Sequence, residues 1–298
     1  MRVTVLAGGF GGARFARALA ESGTDLTVIG NVGDDEEILG LQISPDLDGI
    51  LYALAGIGDE ERGWGRADET WHALETVRAL GGDAWFQLGD RDLGLHLVRT
   101  QALRVGEPLS AITARFGEAL GLEATVLPAT DDRLRTLVET PAGEFRFQEW
   151  YVGRRHEDEV TAVRYDDDAE PAPGVLAALA EADLIAIAPS NPYLSIGPIL
   201  AVNGIRPALE QRTAPAIAVS PLIGGRTVKG PAAAMLERFT GGTTPAHVAG
   251  AYEGLIDRLV VDEADAAEGT IVTRTLMSDE AARRTLAEAV LEAAAIAR

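Results

Sequence analysis

The sequence predicts an α/β protein: a Rossmann-like parallel sheet flanked by helices, with an inserted helical and β-hairpin subdomain. Three observations carry this. An apolar run over residues 3–7 leads directly into Gly8-Gly9-Phe10-Gly11-Gly12. Residues 13–21 then place Phe15, Ala16 and Leu19 on one helical face, and a second apolar run covers 26–29. Short buried runs return late in the chain, at 184–188, 215–219 and 255–261, before a closing helix over 278–297. Strand, glycine turn, helix and strand make the first right-handed crossover of a parallel sheet.

The remaining elements follow in order. Helices are expected over 46–55, after Pro45, and over 67–80, with Asp68 as N-cap. Residues 85–88 read as a short strand ending in Gly89-Asp90-Arg91-Asp92, before a helix through Arg104 and another over 109–120. The pattern then turns to strands. Residues 134–139 and 144–152 flank Thr140-Pro141-Ala142-Gly143 as a hairpin. The acidic run Asp166-Asp167-Asp168 reads as a solvated connection rather than a metal site. Residues 1–298 are expected to form one α/β domain, with 125–170 as the strand-rich inserted subdomain.

Composition narrows the function. The 298 residues carry 46 acidic against 26 basic side chains, a formal charge of −20, which argues against binding nucleic acid or an anionic membrane surface. The absence of cysteine removes disulfides, thiolate metal sites and cysteine nucleophiles together. All but one of the basic residues are arginine, the exception being Lys229. A coding bias accounts for that skew better than function does. The first apolar run is too short for a secretory signal, and no run approaches the ~20 residues that span a bilayer. A cytoplasmic location is expected.

Four segments carry chemistry. The glycine turn, through Gly9, Gly11, Gly12 and Arg14, suits a nucleotide phosphate at a helix N-terminus. It departs from the dinucleotide fingerprint, because Arg14 stands at the third glycine position and Gly30-Asn31 replaces the ribose-binding acid. A nucleotide site is read here, not a nicotinamide site, against the plainer alternative of a tight turn. After the second strand, Asp34, Asp35, Asp46 and Asp48 suit a hard cation, with Asp34 and Asp48 as ligands, Asp46 as helix cap, and Glu36 and Glu37 facing solvent. Ser190 and Asn191 follow a strand, where α/β sheets bind ligands. A later glycine-rich loop brings Arg226 and Lys229 toward a diphosphate. Gly89-Asp90-Arg91-Asp92 is either catalytic or a loop held by an Arg–Asp pair. Trp64, Trp71, Trp85 and Trp150 line an aromatic pocket or pack as core, and His72 and His96 read as structural.

Taken together, these segments resemble the 2-phospho-L-lactate transferase family. The resemblance rests on Ala7-Gly8-Gly9-Phe10-Gly11-Gly12-Ala13-Arg14, Asn31-Val32-Gly33-Asp34-Asp35, Ser44-Pro45-Asp46-Leu47-Asp48 and Arg62-Gly63-Trp64-Gly65. It continues in Leu88-Gly89-Asp90-Arg91-Asp92-Leu93, Phe147-Gln148-Glu149-Trp150 and Ala188-Pro189-Ser190-Asn191-Pro192. It implies a step in coenzyme F-420 biosynthesis. A phospholactyl-type group would pass from a guanosine diphosphate conjugate to the deazaflavin precursor Fo, releasing GMP, with magnesium and commonly in a homodimer.

The family pattern then assigns roles. Asp34 and Asp48 would hold magnesium, with Asp48 also catalytic, and Asp35 would orient or deprotonate the acceptor hydroxyl. The glycine turn, Arg14, Asn31, Asp90, Arg91, Ser190, Asn191 and Lys229 would bind the substrates, and Trp64 would stack on the deazaflavin. A related branch of nucleotide-binding regulatory proteins shares the glycine turn but lacks the Ser-Pro-Asp-Leu-Asp and Gly-Asp-Arg-Asp segments. The three-carbon acid transferred stays open between lactyl, enolpyruvyl and glyceryl groups.

Overall fold

The computed structural model describes residues 1–166 and 168–296. Asp167 of the expected acidic connection and Ala297 of the expected closing helix lie outside the described residues.

The chain builds its sheet outward from the first strand. Strand β1 (Arg2–Ala7) leads through Gly8 into helix α1 (Gly9–Glu21) and returns as β2 (Asp25–Gly30). A small hairpin, β3 (Glu36–Ile38) and β4 (Leu41–Ile43), precedes α2 (Pro45–Leu54), α3 (His72–Ala79), α4 (Asp90–Arg104) and α5 (Leu109–Ala119). Strand β5 (Thr125–Pro128) then closes this half against β2. A separate antiparallel sheet follows from β6 (Arg135–Thr140), β7 (Gly143–Arg146) and β8 (Ala162–Asp166).

The second half resumes α/β alternation. It runs through α6 (Val175–Glu181), β9 (Leu184–Ile187), α7 (Gly197–Ala201), α8 (Ile205–Glu210) and β10 (Ala216–Val219). A minimal hairpin, β11 (Leu222–Ile223) with β12 (Arg226–Thr227), leads to α9 (Ala232–Thr240) and α10 (Pro245–Ala251). Strands β13 (Arg258–Val261) and β14 (Ile271–Val272) and helix α11 (Glu280–Ile296) complete the chain.

Seven parallel strands order as β14-β13-β10-β9-β1-β2-β5, with helices on both faces, so the expected Rossmann-like architecture is present. Strands β9 and β10 are buried along their whole length. That is why they read as unbroken apolar runs rather than alternating ones. Each buried Ile, Leu or Val there contributes about 1.5–3 kcal/mol over its exposed state. The chain leaves β1 toward β2 and β5, then returns to β1's other side as β9. The crevice between β1 and β9 is therefore the topological switch point, where open α/β sheets bind ligands.

Several local expectations change. Strand β5 belongs to the main sheet, so the small sheet begins at Arg135 rather than at residue 125. Residues 85–88 form no strand. Phe86 and Leu88 instead pack on the β3–β4 hairpin, where Leu88 joins Ile38 and Ile43. Helix α3 starts at His72 with Trp71 as its N-cap, and Asp68 lies before it in a left-handed conformation (φ 54°). The second hairpin strand stops at Arg146, and Glu149–Gly153 curls into a π-helical turn that buries Trp150. No described helix is long and apolar enough to cross a membrane.

Candidate functional site

A cavity of about 600 Å³ opens at the carboxyl edge of the sheet over the switch point. Its walls come from the glycine turn, the start of α2, the loop between α2 and α3, the loops after β9 and β10, and the π-helical turn.

The glycine turn is shaped first by the protein itself. A Cβ on Gly11 would stand 2.6 Å from the Pro189 carbonyl oxygen, and one on Gly12 would stand 2.8 Å from Ser190 Oγ. The turn thus needs glycine so that α1 can lie against the loop after β9. Gly9 has φ 67°, a left-handed conformation that favours glycine. Ser190 Oγ donates to the Gly8 carbonyl at 2.7 Å, tying the two loops together. Gly9, Gly11 and Arg14 still face the cavity, whereas Gly12 is buried behind it.

Asp46 is the hinge of this arrangement. It was expected to cap α2 but sits inside that helix's first turn, and its carboxylate reaches across to α1. There Gly9 N–H donates to it at 2.8 Å and Asn31 Nδ2 at 2.8 Å, giving the positive end of α1 an anion from another element. Asn31 is fully buried, and its own Oδ1 accepts from Gly33 N–H at 2.7 Å. It does not line the cavity, so its place is behind the site, as the residue that aims Asp46.

The four aspartates divide sharply. Asp34, Asp46 and Asp48 all line the cavity, and what separates them is their partners. Burial, then the charge of Asp46, pushes the Asp34 carboxyl well above the usual carboxylate range. Burial raises Asp46 as well, against the pull of Asn31 and Gly9. Asp34 Oδ1 is buried with no hydrogen-bond partner. Asp48 differs: Arg99 donates to both of its oxygens, Nη1 to Oδ2 at 3.0 Å and Nη2 to Oδ1. His96 lies 3.6 Å from the same carboxylate, and burial drives its pKa down to about 4.

Asp35 accepts from Ser44 Oγ at 2.6 Å and faces a small recess with Thr136 and Arg146, away from the main cavity. The expected base therefore points elsewhere. Glu36, expected in solvent, is buried and paired with Arg146. Among the described residues, no three His, Asp or Glu side chains converge as a metal cage. A hard cation would fit against Asp34 and Asp46 with phosphate oxygens and water completing its shell, as magnesium sites are commonly built.

Asp59, Glu60 and Asp92 line the cavity without having been assigned a site role from the sequence. Asp90 and Arg91, expected in the site, lie outside the cavity. Asp90 instead accepts from Thr70 Oγ1 at 2.6 Å and from the His72 and Ala73 N–H groups, fixing the start of α3. Arg91 is exposed. Asp92 faces the cavity, accepts from Tyr52 Oη at 2.7 Å, and is raised to about 6, chiefly by burial. Residues two apart on a helix point about 200° apart, so only one of the two acids could face inward. The sequence pattern carried no signal for which.

The remaining walls are aromatic and cationic. Trp64 lines the cavity and meets Trp71 edge-on at 6.0 Å, with the Arg62 guanidinium 4.6 Å from the Trp64 ring. Across the cavity Phe147 stacks on Tyr151 at 5.1 Å. Trp150 is core, and Trp85 lies outside the cavity. Lys229 Nζ donates to the Arg62 carbonyl at 3.2 Å, joining two loops over the glycine turn. Asn191 lines the cavity too, while its Oδ1 accepts from the Tyr193 and Leu194 N–H groups.

The same chain matches known proteins along nearly all its length. A family model described as 2-phospho-L-lactate transferase CofD matches residues 3–294. A protein of Streptomyces coelicolor named phosphoenolpyruvate transferase is 46% identical over 276 residues, covering 89% of this chain and 86% of the relative. One of the same name from Mycobacterium ulcerans is 43% identical over 327 residues, covering 99% of each. Among solved structures, a UPF0052 family member from Bacillus halodurans superposes with a TM-score of 0.65 at 20% identity, covering 97% of this chain and 99% of that one. That last likeness concerns the fold alone. The chain belongs to the 2-phospho-L-lactate transferase family and is a transferase enzyme.

Proposed function

We propose that this member of the 2-phospho-L-lactate transferase family serves coenzyme F-420 biosynthesis. It moves an enolpyruvyl-phosphate group from a guanosine diphosphate conjugate to the terminal ribityl hydroxyl of Fo, releasing GMP. The name carried by the relatives in Streptomyces and Mycobacterium supports the enolpyruvyl group over the lactyl or glyceryl one. The observation that carries the chemistry is the Asp34–Asp46 pair, buried and with an unpartnered oxygen, opening on the same cavity as the glycine turn. Two adjoining carboxylates kept out of water call for a cation.

Magnesium held by Asp34 and Asp46 would supply charge neutralisation on the diphosphate. The chain's own residues do the positioning that phosphoryl transfer mainly requires. Phe10 and Gly11 open α1 without earlier intrahelical carbonyls, so their N–H groups are free for phosphate oxygens. Ser190 and Asn191 hold the adjoining wall. Trp64 and Phe86 offer apolar faces for the deazaflavin ring. The acceptor oxygen forms the new bond to phosphorus, the bond to GMP breaks, and the hydroxyl proton passes to Asp92, which Tyr52 orients. This replaces Asp35 as base. A cytoplasmic homodimer completes the reading, and light scattering tests the dimer.

The experiment is direct. Fo and magnesium are incubated with the protein and each of the enolpyruvyl, lactyl and glyceryl guanosine diphosphate conjugates. GMP should appear fastest with the enolpyruvyl donor. Absence of GMP with all three donors would overturn the transferase chemistry, and a faster lactyl or glyceryl reaction would overturn the choice of acid.

A further inference from the structure

One end of the cavity runs against the protein's overall charge. Arg14 and Arg17 project from α1, one turn apart, and Arg283 projects from α11; all three line the cavity. Between them sits Glu60, from the loop joining α2 and α3. Glu60 Oε2 accepts from Arg14 Nη2 at 3.0 Å and Oε1 from Arg17 Nη1 at 3.0 Å, with Arg283 Nη1 at 3.6 Å. Glu21 backs the group, accepting from Arg17 Nε at 2.7 Å and Arg283 Nε at 3.3 Å. Three guanidinium groups thus face two carboxylates.

We propose that Arg14, Arg17 and Arg283 form an oxyanion subsite that Glu60 fills until a ligand's phosphate or carboxylate displaces it. The inference rests on the proposed anionic donor and names where that donor's charge is read. Arg283 has a side chain only 5% exposed, and Arg14 Nε is buried without a partner. A buried guanidinium is costly unless an anion answers it. Glu60, by contrast, is the most exposed member at 47% and belongs to no core cluster. Moving it into water sacrifices three ion pairs whose acidic partner is already half in solvent, so the loss is modest. The planar forks left behind match carboxylate or phosphate oxygens two at a time.

Calorimetric titration at fixed ionic strength tests this without turnover. The probes are GDP, which has phosphate and no carboxylate, L-lactate, which has the reverse, and guanosine, which has neither. Removing the resident anion with Glu60→Gln should tighten binding of at least one oxyanion by roughly fivefold and leave guanosine unchanged. Gain with GDP assigns the subsite to phosphate, and gain with lactate assigns it to carboxylate. Arg17→Met, made in the parent, should weaken the same probe by a similar factor. No gain for either oxyanion with Glu60→Gln overturns the subsite. So does an equal change for guanosine, or unchanged anion binding in Arg17→Met. Should Glu60→Gln fail to fold, Arg17→Met alone decides. Because no product is measured, failure of the transferase chemistry and failure of this subsite are separate results.

Discussion

Asp34 with Asp46 and Asp48 with Arg99 lie within one acidic stretch, yet the fold treats them oppositely. Asp48 is neutralised internally, both oxygens held by a guanidinium that is itself 1% exposed. Asp34 and Asp46 are left as two carboxylates side by side, with only Asn31 and backbone N–H groups in support. The first pair belongs to the scaffold. The second stores unfavourable charge that a bound cation would relieve. Acidity concentrated in a sequence is thus no measure of metal binding until its partners are known.

The comparison can be broken most severely at the scaffold pair. Asp48→Asn should leave a buried guanidinium short of its counter-charge and cost about 3–5 kcal/mol, read as a large fall in denaturation midpoint. Retention of parental stability would show that Arg99 finds another partner and that the pair is not structural. A smaller effect of opposite sign is expected next door. Asp34→Asn should raise stability at pH 7.5 without added metal by about 1–2 kcal/mol, since it removes an unpaired buried charge. The same change should abolish any stabilisation of the parent by magnesium. Loss of stability with intact magnesium response would exchange the roles of the two pairs.

The smallest effect on stability concerns Asp92. Its folded pKa of about 6 lies above the ordinary 3.8, so the folded state holds a proton that the unfolded state has lost between those values. Its contribution therefore declines as pH rises from about 4 to about 6, by on the order of 1 kcal/mol after allowing for partial solvation. Asp92→Asn should flatten that part of the stability profile. In the transferase assay the same variant should lose about 100-fold or more in kcat, with the acid limb near pH 6 gone. An unaltered limb would assign the base elsewhere.

Much of the fold was legible because its signals are local. The apolar runs of β1, β2, β9 and β10 and the glycines before α1 each need only a few neighbours in sequence to be recognised. Shorter elements failed for a physical reason. Residues 85–88 read as a short strand, but a short apolar run reports burial alone, and packing on a hairpin satisfies it as well as pairing does. Arg91 and Asp90 looked functional as a cluster, whereas helix geometry turned Asp92 inward and left Asp90 to hold the start of α3. Trp64 and Lys229 line the cavity.

By itself, the sequence determined the parallel sheet, the turn at its switch point and the family to which the chain belongs. Those depend on residue type at short spacing. Tertiary structure alone decided which carboxylates are paired with a cation and which are not. The deciding partners are distant in sequence: Arg99 for Asp48, Gly9 for Asp46, and Arg283 for Glu60. Electrostatic energy depends on separation in space and on burial, and neither can be read from a local pattern.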